Sequence, residues 1–195
     1  MTLPFEQPSP APRPRADAVR NREKILAAAT SAFSAGEGDL TFEALARRAG
    51  VGIGTLYRNF ADRQALVEAV YRAELDDVVE HADALLAEYP ADVALRRWID
   101  RYATFVTTKR GMAQAFQQAV ASGAIAAPRT RERIRETVES FLAAGAESGV
   151  LRADVDGDDA TTALLSAVLG TAGAGVSAEQ RARVLDILVD GLRAR

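Results

Sequence analysis

From Asp17 to Arg193 the apolar residues recur at the three-and-four spacing of a helix face, and nowhere do they alternate with polar residues over a strand length. That periodicity confines the chain to an all-α architecture. Breakers divide it into about nine helices. The first spans about Asp17–Ser34, with Val19, Ile25, Leu26, Ala29 and Phe33 on one face, and ends at Gly36 and Gly38. Short helices follow at Phe42–Ala49 and about Ile53–Phe60, then a long one from its cap at Asp62 to about Glu88, before Pro90. The rest fall at about Asp92–Thr107, Met112–Ser122, Pro128–Glu147, Asp158–Ala172 and Ala178–Arg193. Pro128 suits a first turn, where a missing N–H costs nothing. Three regions result: a proline-rich basic arm over 1–16, expected to be disordered; a three-helix unit over 17–72; and a larger helical body over 73–195.

Charge is unevenly spread. The chain of 195 residues carries a net −3, yet residues 13–72 hold ten Lys/Arg against seven Asp/Glu, and residues 73–195 hold fourteen against nineteen. A basic front on an acidic body suits a protein that meets DNA with one end. The absence of cysteine excludes a disulfide scaffold, a thiol nucleophile and a cysteine-ligated metal. No apolar run approaches the roughly 18 residues of a membrane span. The N-terminal stretch lacks the apolar block of a secretory signal, so a cytoplasmic protein without a membrane partner is expected.

Thr41–Phe60 carries the chemistry. Thr41 sits where an N-cap belongs, Glu43 falls in the first turn, and Gly50 supplies a left-handed C-cap. Two short helices joined by a three-residue turn cross steeply, leaving the second free to enter a major groove. Leu45, Val51 and Leu56 would hold the pair together, which leaves Gly54, Thr55, Tyr57 and Arg58 outward. Thr55 and Tyr57 suit phosphate, and Arg58 suits guanine or phosphate. Arg13, Arg15, Arg20 and Arg22 could follow the DNA backbone or enter a minor groove, or in the first two cases simply be solvated.

The stretches NREKILAAATSAF, TFEALARRAGVGIGTLYRNF and DRQALVEAVY resemble the N-terminal domain of TetR-family regulators, over about Arg20–Tyr71. The resemblance implies a helix-turn-helix DNA-binding domain joined to a helical ligand-binding and dimerisation domain. Position by position it implies that Thr41 caps its helix and touches a phosphate, that Thr55 and Tyr57 grip the backbone, and that Gly54 admits the DNA. Arg63 would bind phosphate from the start of the long helix. Arg58 and Asn59 stand where many relatives have an aromatic residue or histidine, and Gly52 where many have serine or threonine; these departures bear on base preference.

In the body, LRRWIDRYATFVTTKRGMAQAF is similar to one regulator subgroup, and the similarity is diffuse. Trp98, Tyr102, Phe105, Met112 and Phe116 recur near helical spacing, with Phe141 on a later helix. They are core, lining of an apolar effector pocket, or both. The last two helices carry Leu164, Leu165, Val168 and Leu169, then Val184, Leu185, Leu188 and Leu192. The resemblance implies that they pair with their symmetry mates in a four-helix bundle, with Leu165, Leu169, Leu185, Leu188 and Leu192 in the seam; a hairpin packed on its own domain is the alternative. Gly170, Ala172, Gly173 and Ala174 would allow close helix approach or form a loose turn. His81, the single histidine, cannot build an ordinary zinc site without cysteine or further histidine.

No nucleophile elbow, phosphate-binding loop, cofactor motif or metal cluster is present in the sequence, so an enzyme is not expected. Asp76-Asp77 and Asp158-Asp159 are explained by solvation or capping. The expected protein is a homodimeric repressor released from a palindromic operator by a small-molecule effector. A helical interaction module, an activator and an effector-assisted DNA binder are the alternatives.

Overall fold

The computed structural model describes residues 14–37, 39–172 and 175–194. Most of the arm, with Arg13, lies outside the described residues, as do Gly38, Gly173 and Ala174. Among the described residues are nine helices: α1 Pro14–Ser34, α2 Phe42–Ala49, α3 Ile53–Asn59, α4 Arg63–Glu88, α5 Ala91–Gly111, α6 Ala113–Ala121, α7 Ala127–Glu147, α8 Gly157–Thr171 and α9 Ala178–Leu192. An isolated antiparallel bridge, Leu151 to Arg193, ties the chain end to the α7–α8 connection.

Local chemistry fixes the helix starts. The side-chain oxygens of Thr41, Asp62, Asp156 and Ser177 each accept a backbone N–H of the following first turn, at 3.3, 2.8, 2.8 and 3.1 Å. Each such cap contributes about 1 kcal/mol. The C-cap Gly50 has φ 65°, where a side chain would be strained. α5 continues past the expected Thr107 to Gly111, and Met112 serves as both its C-cap and the N-cap of α6.

The core is a single cluster from Ile25 in α1 to Val189 in α9, and α4 and α5 form its spine. Rings link its layers. Trp98, fully buried, donates its indole N–H to the Val78 carbonyl at 2.8 Å and stacks on Tyr102 at 5.7 Å. Tyr102 meets Phe105 at 5.9 Å, Phe105 meets Tyr71 at 5.4 Å, and Tyr71 meets Phe116 at 5.1 Å. Val19 departs from expectation: it is 56% exposed, and from Ala16 to Lys24 no residue of α1 is buried.

Candidate nucleic-acid interface and its link to the body

Leu45 and Leu56 lock α2 against α3, both at 3% exposure or less, with Val51 of the turn packed beside them. The Val51 N–H returns to the Ala46 carbonyl at 3.0 Å, so the turn leaves α2 as a tight glycine-capped exit. α3 is then held by one buried residue, Leu56, with Thr55 and Asn59 half-buried and Ile53, Gly54, Tyr57 and Arg58 exposed.

On that surface Gly54 is exposed, and a Cβ built there would meet nothing within 4 Å. Tyr57 is 52% exposed; its ring is steadied by Phe42 of α2 at 5.3 Å, and its hydroxyl has no hydrogen-bond partner among the described residues. Arg58 is folded back, Nε donating to the Gly54 carbonyl at 3.2 Å and Nη2 to the Thr55 hydroxyl at 3.0 Å. Thr55 is half-buried, and Asn59 donates to its carbonyl at 2.8 Å. Arg22 stacks its guanidinium 4.6 Å above the Phe60 ring, at the end of α3. Arg20 pairs with Asp17, and the side chain of Arg15 is outside the described set. Ile53, 40% exposed on the first turn of α3, is a surface residue the sequence reading did not select; its place before Gly54 was the available clue.

Arg63, expected at a phosphate, stands in the first turn of α4. It is half-buried, and Nη1 donates to the Leu40 carbonyl at 3.0 Å, fastening the α1–α2 connection to the first turn of α4. It belongs to a joint between head (α1–α3) and body. There Ser34 and Thr108 share a 2.7 Å hydrogen bond and the Thr30 hydroxyl donates to Glu74 at 3.2 Å; within the body, Gln64 of α4 donates to the Ser122 hydroxyl at the end of α6 at 2.8 Å. Gly111 makes the closest approach: a Cβ there would lie 1.7 Å from the Phe33 carbonyl oxygen. Burial raises the Glu74 carboxyl above the usual carboxylate value. Burial likewise lowers the Lys109 ammonium, which lies 4.9 Å over the Phe116 ring.

The aromatic residues expected around an effector are placed in the core. Trp98, Tyr102, Phe105, Met112 and Phe141 are each at most 6% exposed, and Phe116 is partly buried. Beside them, between α4 and the start of α7, runs a groove of about 410 Å³ with Tyr71 in its wall. On the last two helices, Leu185 is fully buried within this chain and offers no surface to the expected seam, whereas Leu165, Leu188 and Leu192 are half-buried and Leu169 is 49% exposed. Ile187 of α9 is 71% exposed. His81 is half-buried beside Asp77, its Nδ1 2.8 Å from the Asp77 carbonyl oxygen.

Residues 25–70 match the family model for bacterial regulatory proteins of the tetR family, and residues 90–194 match that for the C-terminal domain of SbtR-like transcriptional regulators. A TetR transcriptional regulator from Streptomyces coelicolor is 42% identical, with 89% of this chain and 98% of that one superposed at a TM-score of 0.80.

This chain belongs to the TetR family.

A second member, from Mycobacterium vanbaalenii, is 34% identical over 92% of this chain and 99% of its own, at a TM-score of 0.73. A curated HTH-type transcriptional regulator of Staphylococcus aureus is 33% identical over 76 residues, which is 38% of this chain and 41% of that relative. Like the other TetR-family proteins it matches, the chain is a DNA-binding transcriptional regulator with an N-terminal helix-turn-helix. Among the described residues, no helix is long and apolar enough to cross a membrane.

Proposed function

We propose that this regulator is a cytoplasmic homodimeric repressor that occludes a promoter and is released from its two-fold operator by a small molecule. The observation that carries the DNA side is α3: one buried anchor, and Ile53, Gly54, Tyr57 and Arg58 on its free surface. In a dimer two such helices would enter successive major grooves, about 34–36 Å apart. Tyr57 is offered to phosphate, and Ile53 to a thymine methyl. Arg58 can read guanine only by leaving the Gly54 carbonyl and Thr55 hydroxyl, so its contact is made at the expense of two hydrogen bonds within the helix.

The partner is a second copy, placed against the outer surface of α8 and α9 where Leu169 and Ile187 are exposed. Release follows if an effector favours a body conformation that shifts the head through the joint at Phe33–Gly111 and Ser34–Thr108. Such a molecule must bind the released form better; equal affinity for both forms would move nothing.

The test is operator selection from random DNA, followed by affinity measurements on the selected site. A palindromic site is expected. Tyr57→Ala should weaken all sequences alike, by about 1.5–3 kcal/mol for one charge-assisted hydrogen bond per head. Arg58→Ala should relax choice at one position of each half-site, costing about 1–3 kcal/mol on the preferred base. Operator binding unchanged in both variants would remove α3 from the groove.

A further inference from the structure

The groove between α4 and the start of α7 differs in chemistry from the aromatic core behind it. Tyr71, Leu75 and Ile125, each 4–5% exposed, present only their edges at its floor, and Arg72, Arg129 and Arg133 line it with a single acidic side chain, Asp76. Asp76 is engaged with Arg133 at 2.8 Å, and Arg72 with Glu68. Arg129 has no ion-pair partner among the described residues and is exposed. The first turn of α7, from which Arg129 and Thr130 come, contains no acidic residue and no side-chain cap. Pro128 has no N–H and that of Thr130 is bonded to the Ala126 carbonyl, so this turn adds to the arginines chiefly through the positive end of the helix dipole. The Tyr71 hydroxyl, 2.6 Å from that of Thr130, closes the floor. An apolar floor under unbalanced positive charge fits a particular kind of guest.

Resting on the effector-release reading, we propose that this groove, and not the aromatic core, takes the effector, and that the effector is a small amphiphile with an apolar body and one anionic head. The head meets Arg129 and Arg133 in charge-assisted hydrogen bonds, and the body covers Tyr71, Leu75 and Ile125. The volume of about 410 Å³ holds a molecule of metabolite size. The route to the head is short. Tyr71 packs on Phe116 of α6 at 5.1 Å, and α6 is tied at its end to Gln64 of α4 and at its beginning to Gly111, which sits on the Phe33 backbone.

The experiment uses the full chain without DNA. Binding of decanoate, decyl phosphate and decan-1-ol is measured by equilibrium dialysis for the wild type, Arg129→Gln and Ala124→Trp, the last chosen to fill the groove. Both anions should bind, and the alcohol should bind at least about tenfold more weakly, as expected for loss of a charge-assisted contact. Arg129→Gln should weaken the anions by about tenfold and leave the alcohol unchanged; Ala124→Trp should weaken all three. The tighter anion identifies the head as carboxylate or phosphate. Anions that bind no better than the alcohol, or that ignore Arg129→Gln, overturn the proposal, and Arg129 is exposed enough that its variant will fold. Operator affinity in the same samples separates the two levels. Arg129-dependent binding without any change at the operator keeps the site and removes release. Release by decanoate that persists equally in both variants keeps release and removes the site.

Discussion

Gly111 shows how a single residue sets the distance between the two working parts. The Phe33 carbonyl would stand 1.7 Å from a Cβ at position 111, and the obstacle is backbone that cannot rotate away. Gly111→Ala must therefore push the end of α5 off the end of α1. The expected cost is about 1–3 kcal/mol, as for other forced overpacking, seen as a lower Tm together with altered operator affinity. An unchanged melting curve would mean that the joint yields freely. Arg63 teaches a related lesson. Besides the phosphate role that its type and position suit, its Nη1 is engaged with the Leu40 carbonyl, a partner 23 residues away that no local pattern reveals.

At the scale of elements, α1 and α4 meet through a pair whose charge matters. Glu74 accepts from Thr30 at 3.2 Å, and burial, assisted by nearby Asp77, holds its carboxyl above the ordinary value of 4.5. With the folded-state value raised, Glu74 favours folding while protonated, and that contribution fades as pH rises through the raised value. Glu74→Gln keeps the acceptor and removes the charge. Its Tm should match the wild type near pH 4 and exceed it at pH 7; a lower Tm at pH 7 would refute the assignment. The bounds of α2 and the start of α4 were legible because Thr41, Gly50 and Asp62 punctuate them with capping chemistry. The extension of α5 to Gly111 was not legible, since its last turn meets α1 through Ser34–Thr108 and Phe33–Gly111, contacts more than 70 residues apart in sequence.

For the whole molecule, assembly depends on which apolar residues the monomer leaves uncovered. Leu185 and Ile187 lie two positions apart on α9, with exposures of 0% and 71%. Ile187→Glu should leave the fold intact and shift sedimentation from dimer towards monomer. Leu185→Glu should instead bury an unpaired charge in the protomer and unfold it, a loss of several kcal/mol. A monomeric wild type at micromolar concentration, or Ile187→Glu sedimenting like the wild type, would exclude this surface as the seam.

The helical periodicity, the capping residues and the run from Thr41 to Phe60 determine the all-α class, the element order and the helix-turn-helix, because each depends on contacts within a few residues along the chain. Tertiary structure alone separates Leu185 from Ile187, consigns Trp98, Tyr102 and Phe141 to the core, and turns Arg63 towards Leu40. Helical spacing can name an apolar stripe, but its width spans both the side facing the core and the side facing a partner. Which residue fills a core, borders a groove or meets a second chain depends on what other helices bring to it from tens of residues away, and sequence spacing carries no record of that.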